Sequence, residues 1–286
     1  MVIGWAWTVL LNGTVGLAAY WTARYGFRQP AGEARTLAGL TLAWIWITLG
    51  MIILGVQGWL GRGPLLLWAA ALLLLAAFPR HRHSRQDENR EESPARGVVG
   101  RAAIVALGLF AWAAVLLGVA STILAPALVS DGPVYHLYSA IRWWKAGRLF
   151  LIAMPFGDPA ATYFPAGGDL WLSWLIVGLG SDHLARIGQA PFLLMAGLAV
   201  YALSRLLAVG ATAALIAAVW FMTCHTLMTF SFEANVDTIF VAGYLTSVFF
   251  GLRYAHGENG SSSLVLAALA AGAAWGTRPT STIFIV

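Results

Sequence analysis

Four ionisable residues stand where long apolar runs begin or end. Asp131 heads the stretch SDGPVYHLYSAIRWWKAGRLF (130–150), directly after an apolar run. Glu233 and Asp237 lie four apart in SFEANVDTIF, just before a second run, and Arg278 follows a third in GTRPTST. A carboxylate at the edge of an apolar medium can serve as a general base or as an oxygen ligand for a cation. It can equally cap a helix, whose first N–H groups lack partners and whose start favours negative charge. On a helix, the spacing of four puts Glu233 and Asp237 on one face. Arg278 precedes Pro279 and is therefore extended. Its guanidinium can snorkel to water, or grip a phosphate through two parallel hydrogen bonds, with Thr277 and Thr280 as further donors.

The stretch after Asp131 predicts an amphipathic helix. Pro133 fits a first helical turn, where its missing N–H costs nothing. Leu137, Ile141 and Trp144 recur at helical spacing, with Ser139 and Arg142 on another face. Such a helix, rich in aromatics and cations, suits the headgroup layer. Trp143 and Trp144 with Arg142, Lys145 and Arg148 read as interfacial anchors that can also meet a lipid headgroup. His136, between Tyr135 and Tyr138, is either a packed side chain or a second proton carrier or ligand. His225 adjoins Cys224 with no acid nearby in sequence, which argues against a Cys–His nucleophile. His81 and His83 sit in a basic linker and read as solvated charge.

Composition fixes the setting. The chain is 59% hydrophobic and only 10% charged, where a soluble domain carries about 25% charged residues. It therefore reads as an all-α, polytopic membrane bundle. The net charge of +5 comes from arginines in short loops, which speaks for membrane orientation rather than nucleic acid. A single cysteine excludes an intramolecular disulfide and a cysteine-based metal cluster. The N-terminal run is long and lacks a basic leader, so a retained span is expected rather than a signal peptide.

About eight spans are expected, near 2–21, 36–60, 64–78, 101–124, 182–206, 211–229, 237–254 and 264–275. Residues 1–79 form an N-terminal three-helix segment, 80–100 a polar linker, and 101–286 the remaining membrane core. The apolar piece 169–179 is too short for about 30 Å of hydrocarbon and is expected to dip into the surface. Arginines 24, 28 and 35, and those of the 80–101 linker, place these loops in the cytoplasm. Alternation then brings Asp131, Glu233, Asp237 and Arg278 to the outer face. The span centres hold no acid or cation, unlike a proton-coupled transporter. The chain stops in TSTIFIV (280–286), which reads as the opening of another span, so an incomplete product is expected.

An acid just after an outward span, then a tyrosine and an amphipathic helix ending W-x-x-G-R, resembles the first outer loop of GT-C glycosyltransferases. Tyr163-Phe164-Pro165 followed by Leu170-Trp171-Leu172 is similar to that family's surface helix. Residues 182–186 resemble its S-x-x-x-x-R entry to the next span. Ser231-Phe232-Glu233-Ala234 with Asp237 resembles its second acidic loop. Gly276-Thr277-Arg278-Pro279-Thr280 is similar to its TKPT segment, with arginine for lysine. The likeness runs over 101–286 and is nearest to the protein O-mannosyltransferase-like and aminoarabinose transferase-like branch. It departs in having Gly132 where a second acid usually follows the first, in three extra N-terminal spans, and in lacking the family's C-terminal portion.

The resemblance implies an integral membrane enzyme of the bacterial plasma membrane. It would transfer a hexose or pentose from a polyprenyl-phosphate-linked donor to a glycan, lipid or protein acceptor outside the membrane. In that reading Asp131 is the base, Asp237 with Glu233 positions the acceptor, and Arg278 holds the donor phosphate. Tyr135, His136 and Arg142 are candidates for substrate binding. Asp131 and Asp237 are also the ligands available to a divalent Mg²⁺ or Mn²⁺ ion, which some branches need and others do not. The rival readings are a lipid-linked sugar flippase or other transporter, with charge along a central path, and a non-catalytic scaffold whose acids are only caps.

Overall fold

The computed structural model describes residues 2–78, single positions and short pieces between 109 and 124, 131–153, 159–278, 280 and 282–285. The linker 80–100 lies outside the described residues, as does most of the expected span 101–124. Every regular element described is helical. Helix α1 covers Val2–Trp21 and runs into a π-turn at Thr22–Gly26. It is followed by α2 (Glu33–Val56) and α3 (Arg62–Ala77). A second π-turn, Gly132–His136, leads into α4 (Leu137–Ala146). Then come α5 (Gly167–Leu179), α6 (His183–Arg186), α7 (Ala190–Leu206) and α8 (Ala211–Met222). The described chain closes with α9 (His225–Ser231), α10 (Asp237–Ala255), α11 (Gly260–Trp275) and the short α12 (Thr282–Ile285).

The described residues show part of the expected set of eight spans. Among the described residues, four helical segments are long and apolar enough to cross a membrane: Val2–Gly26, Glu33–Val56, His183–Leu206 and Asp237–Ala255. Helices α8 and α9 make a fifth if they act as one span, but they meet at a bend of 62°. Each of α3 and α11 has 16 residues and rises only about 24 Å, short of about 30 Å of hydrocarbon.

Helix α5 is enclosed by protein: twelve of its thirteen residues are buried. It packs against α1, α2, α4 and α6. An all-round apolar helix must be enclosed, and here other helices enclose it. Its polar groups are paired: Trp174 donates to Asn12 of α1 at 3.1 Å, and Trp171 donates to the Gly188 carbonyl at 2.7 Å. Arg62 of α3 donates to the Val177 carbonyl near its end.

Lipid tails are as apolar as leucine, so contact between spans rests on close packing of small residues. Helices α10 and α11 pair this way, with a Cβ placed on Gly243 falling 2.9 Å from the Ala274 Cβ. At the far end of α10, buried Arg253 bonds Glu258 and the Gln29 side chain, which ties the first helices to the last. Other attachments are main-chain. Leu149 N–H donates to the Gly55 carbonyl and Leu60 N–H to the Gly147 carbonyl, joining the end of α2 to the end of α4.

Candidate active site

Four separate stretches meet at the end of the bundle where α5 and α10 begin. They are the π-turn 132–136, the entry to α5, the loop 232–237 and the exit from α11 at 276–278. Two glycines let the backbones touch. Gly132 faces the Ala234 carbonyl, where a Cβ would fall 2.9 Å from the oxygen. Gly167 donates its N–H to the Gly276 carbonyl at 2.8 Å, and a Cβ there would lie 2.6 Å from that oxygen. The first contact gives a physical reason for glycine after Asp131: no side chain fits between this turn and the acidic loop.

The acidic loop is held from beneath. Buried Gln189, just before α7, donates to the carbonyls of Phe230 and Glu233 and accepts from the Thr238 N–H at 2.8 Å. The buried hydroxyls of Ser231 and Thr238 bond across the loop at 3.0 Å. The described Gly118 lies flat against the Phe232 ring. This shape corrects one expectation. Residues 232–236 form a non-helical connection between α9 and α10, so Glu233 and Asp237 do not share a helical face.

Within the cluster, Asp131 occupies the N-cap position of the π-turn, is exposed, and makes no capping bond. Tyr135 donates its hydroxyl to it. Burial, and then this bond to Asp131, push the Tyr135 phenol above its ordinary range, so it stays protonated. The charges of Asp169, which raises it, and Arg278, which lowers it, also bear on the Tyr135 phenol. Asp237 is the first residue of α10 and makes an ion pair with Arg278. Arg278 is therefore engaged by a carboxylate rather than snorkelling alone. Thr277 is buried and donates to the Ala274 carbonyl at 2.6 Å, so its hydroxyl proton is committed elsewhere.

One pair has no counterpart in the sequence beyond a lone histidine. Asp169, in the first turn of α5, accepts from or shares a proton with His136 Nδ1 at 2.5 Å, and both side chains are buried. Burial raises the Asp169 carboxyl, while the His136 ring pulls it down; desolvation prevails. The signal was an acid opening a stretch whose only other polar side chain is Ser173. His136 is also in ring contact with Tyr135 at 4.2 Å, so the pair backs directly onto the Asp131 group. Arg142 has other company: its exposed guanidinium lies over the rings of Tyr138 and Phe150. The buried face of α4 is Ser139, Ala140 and Trp143, offset from the expected Leu137, Ile141 and Trp144, which are half-buried. Cys224 and His225 are exposed at the α8–α9 bend. Among the described residues, no three His, Cys, Asp or Glu side chains gather as a metal shell.

Two cavities adjoin this cluster. One, about 600 Å³, is an apolar groove between α2 and α11, walled by residues such as Trp44, Thr48, Leu269 and Ala273 and reaching Gly276. The other, about 480 Å³, includes Ser139, Tyr163, Phe164 and Asp169 in its wall. Trp143, Leu149 and Ala166 line both.

No curated protein and no solved structure matches the chain. Residues 169–286, which include Asp169, Asp237 and Arg278 but not Asp131, match the family model described as dolichyl-phosphate-mannose-protein mannosyltransferase. That match supports a membrane glycosyltransferase of the GT-C type.

Proposed function

We propose that the chain transfers a sugar from a polyprenyl-phosphate-linked donor to an acceptor at the extracytoplasmic face of a bacterial plasma membrane. One observation carries this reading. Asp131 with Tyr135, and Asp237 with Arg278, come from distant parts of the sequence to one end of the fold, beside an apolar groove that reaches Gly276. The groove suits an isoprenoid chain, and Arg278, two residues beyond its end, suits the phosphate. In the transfer, Asp131 takes the proton of an acceptor hydroxyl or amine as that atom bonds to the anomeric carbon. The bond from anomeric carbon to phosphate oxygen breaks, and the phosphate leaves with the electron pair. Arg278 stabilises the charge it gains. Tyr135 holds the Asp131 carboxylate in place, and Asp237 orients Arg278.

Sidedness is supported by the opposite end of the bundle, where Arg24, Arg28, Arg35, Arg205 and Arg253 collect at the ends of α1, α7 and α10 and the start of α2. The arginines and lysine of 142–148 belong to a long loop, which the positive-inside rule governs weakly. A divalent ion is given no step here: among the described residues no three His, Cys, Asp or Glu side chains gather around one point, and Asp237 is paired with Arg278. The scaffold reading has its acids as caps; Asp131 makes no capping bond, and Asp237, in the first turn of α10, is engaged by Arg278.

The test is Asp131→Asn. Asn keeps the size of the side chain and no capping bond is lost, so stability should not change. Transfer from a polyprenyl-phosphate sugar should fall by roughly a hundredfold or more, as for loss of a general base. Near-wild-type transfer would remove Asp131 from the chemistry.

A further inference from the structure

The 480 Å³ cavity has features that the transfer step above does not use. Asp169 lies in its wall and is nine-tenths buried. Among the described residues, only His136 bonds the Asp169 side chain, and it takes Oδ1 alone. That leaves Oδ2 for the cavity. Around it stand aromatic side chains: Trp143 and Phe150 from α4 and its exit, and Tyr163 and Phe164 from the approach to α5. Trp143 is fixed by donating its indole N–H to the Phe150 carbonyl at 2.8 Å, and Phe164 by edge contact with Tyr135. Tyr163 is 78% exposed, a large aromatic at the rim that contributes little to the core. Ser139 and Thr162 add hydroxyls.

A buried carboxylate oxygen, two hydroxyls and flat apolar rings together suit one class of ligand, a ring with hydroxyls on its edge and C–H bonds on its faces. The carboxylate accepts from the hydroxyls, and the aromatic faces cover the C–H surface. The volume lies within the range of small-molecule pockets, about 300–1,000 Å³.

We propose that this cavity is a sugar subsite in which Asp169 accepts hydrogen bonds from ring hydroxyls and Tyr163 packs on the ring face. It rests on the glycosyltransferase reading and adds where the glycosyl ring sits and what selects it. Because the cavity shares Trp143, Leu149 and Ala166 with the apolar groove, the ring is that of the lipid-linked donor, its chain in the groove. His136 fixes the carboxylate through Nδ1 and is a positioning residue.

Calorimetric titration of the purified full chain in detergent tests this. The probes are decaprenyl-phosphate-linked mannose, galactose and arabinose, with decaprenyl phosphate alone as the sugar-free control and the three methyl glycosides as free sugars. At least one sugar-bearing lipid should bind wild type more tightly than decaprenyl phosphate. Asp169→Asn and Tyr163→Ala should each weaken that sugar's binding by roughly fivefold or more, as expected for loss of a charged acceptor or a stacked ring, and leave decaprenyl phosphate unaffected. Tyr163→Phe should bind as wild type. Tyr163 is a rim residue, so its variants remain informative if Asp169→Asn unfolds. Dependence on both residues seen only with the methyl glycosides would keep the sugar chemistry and assign the ring to the acceptor. Equal sugar binding by wild type, Asp169→Asn and Tyr163→Ala, or no affinity gained from any of the sugars, overturns the subsite. A chain that transfers sugar but is indifferent at Asp169 and Tyr163 loses only the subsite. A chain that binds sugar through them but never transfers it loses only the enzyme reading.

Discussion

Gly132→Ala is the smallest change that should disturb the site without touching a reactive group. A Cβ at 132 would stand 2.9 Å from the Ala234 carbonyl oxygen and 3.3 Å from both its carbonyl carbon and its Cβ. All three are atoms that no side-chain rotation can move aside. Ordinary carbon contacts begin near 3.5 Å, so the turn and the acidic loop must part by about half an ångström. Overpacking of this kind costs about 1–3 kcal/mol. Alanine in a helical turn gains back up to about 1 kcal/mol over glycine. The net loss of roughly 1–2 kcal/mol should lower Tm by a few degrees. The effect on rate should be larger in proportion. The same half ångström separates Asp131 from Asp237 and Arg278, and a misplacement near 1 Å can cost about a hundredfold. We therefore expect transfer by folded Gly132→Ala protein to fall by roughly tenfold. Gly251→Ala serves as control, because nothing lies within 4 Å of a Cβ there. Thermal unfolding in detergent and steady-state transfer, compared per folded molecule, are the two measurements. Full transfer by Gly132→Ala, whatever its Tm, would show that this backbone contact does not set the spacing of the reactive groups.

Arg278→Lys keeps a charge opposite Asp237 and should retain measurable transfer. Arg278→Ala leaves both the carboxylate and the departing phosphate without a partner, and should lose roughly a hundredfold in turnover, as when one oxyanion donor is removed. Equal turnover by Arg278→Ala and wild type would take Arg278 out of the site. Topology is tested with single cysteines in a Cys224→Ser background, since Cys224 is itself exposed. In intact cells an impermeant thiol reagent should label position 163 and spare position 88; the reverse pattern would put the whole cluster on the cytoplasmic side.

The long spans were legible because uninterrupted apolar runs dictate helices, and α1, α2, α7 and α10 stand where composition placed them. So was the meeting of Asp237 with Arg278 at one end, since antiparallel neighbours bring alternate loops together. What stayed hidden depended on tertiary contacts. Periodicity showed α5 as apolar on all sides, but apolar residues look alike whether they face lipid or protein, and only packing against α1 and α2 decides. The spacing of Glu233 and Asp237 suggested a helix that Gln189 instead holds open, through hydrogen bonds from more than forty residues away. The Asp169–His136 pair joins two residues 33 apart, and neither alone announces the other. The bend of 62° between α8 and α9 leaves hydropathy unchanged and so left no trace in the apolar profile.

The enclosure of α5 has a consequence for how the chain is made. A thirteen-residue apolar helix cannot settle in the bilayer as an independent span, and it has no polar face for water. It needs a receptacle when it leaves the ribosome. Helices α1 and α2 supply one, and they are synthesised more than a hundred residues earlier. On this order the N-terminal helices act as an internal chaperone for the element that carries Asp169. A chain beginning at residue 101 would have to find other cover for α5 before proteolysis finds it.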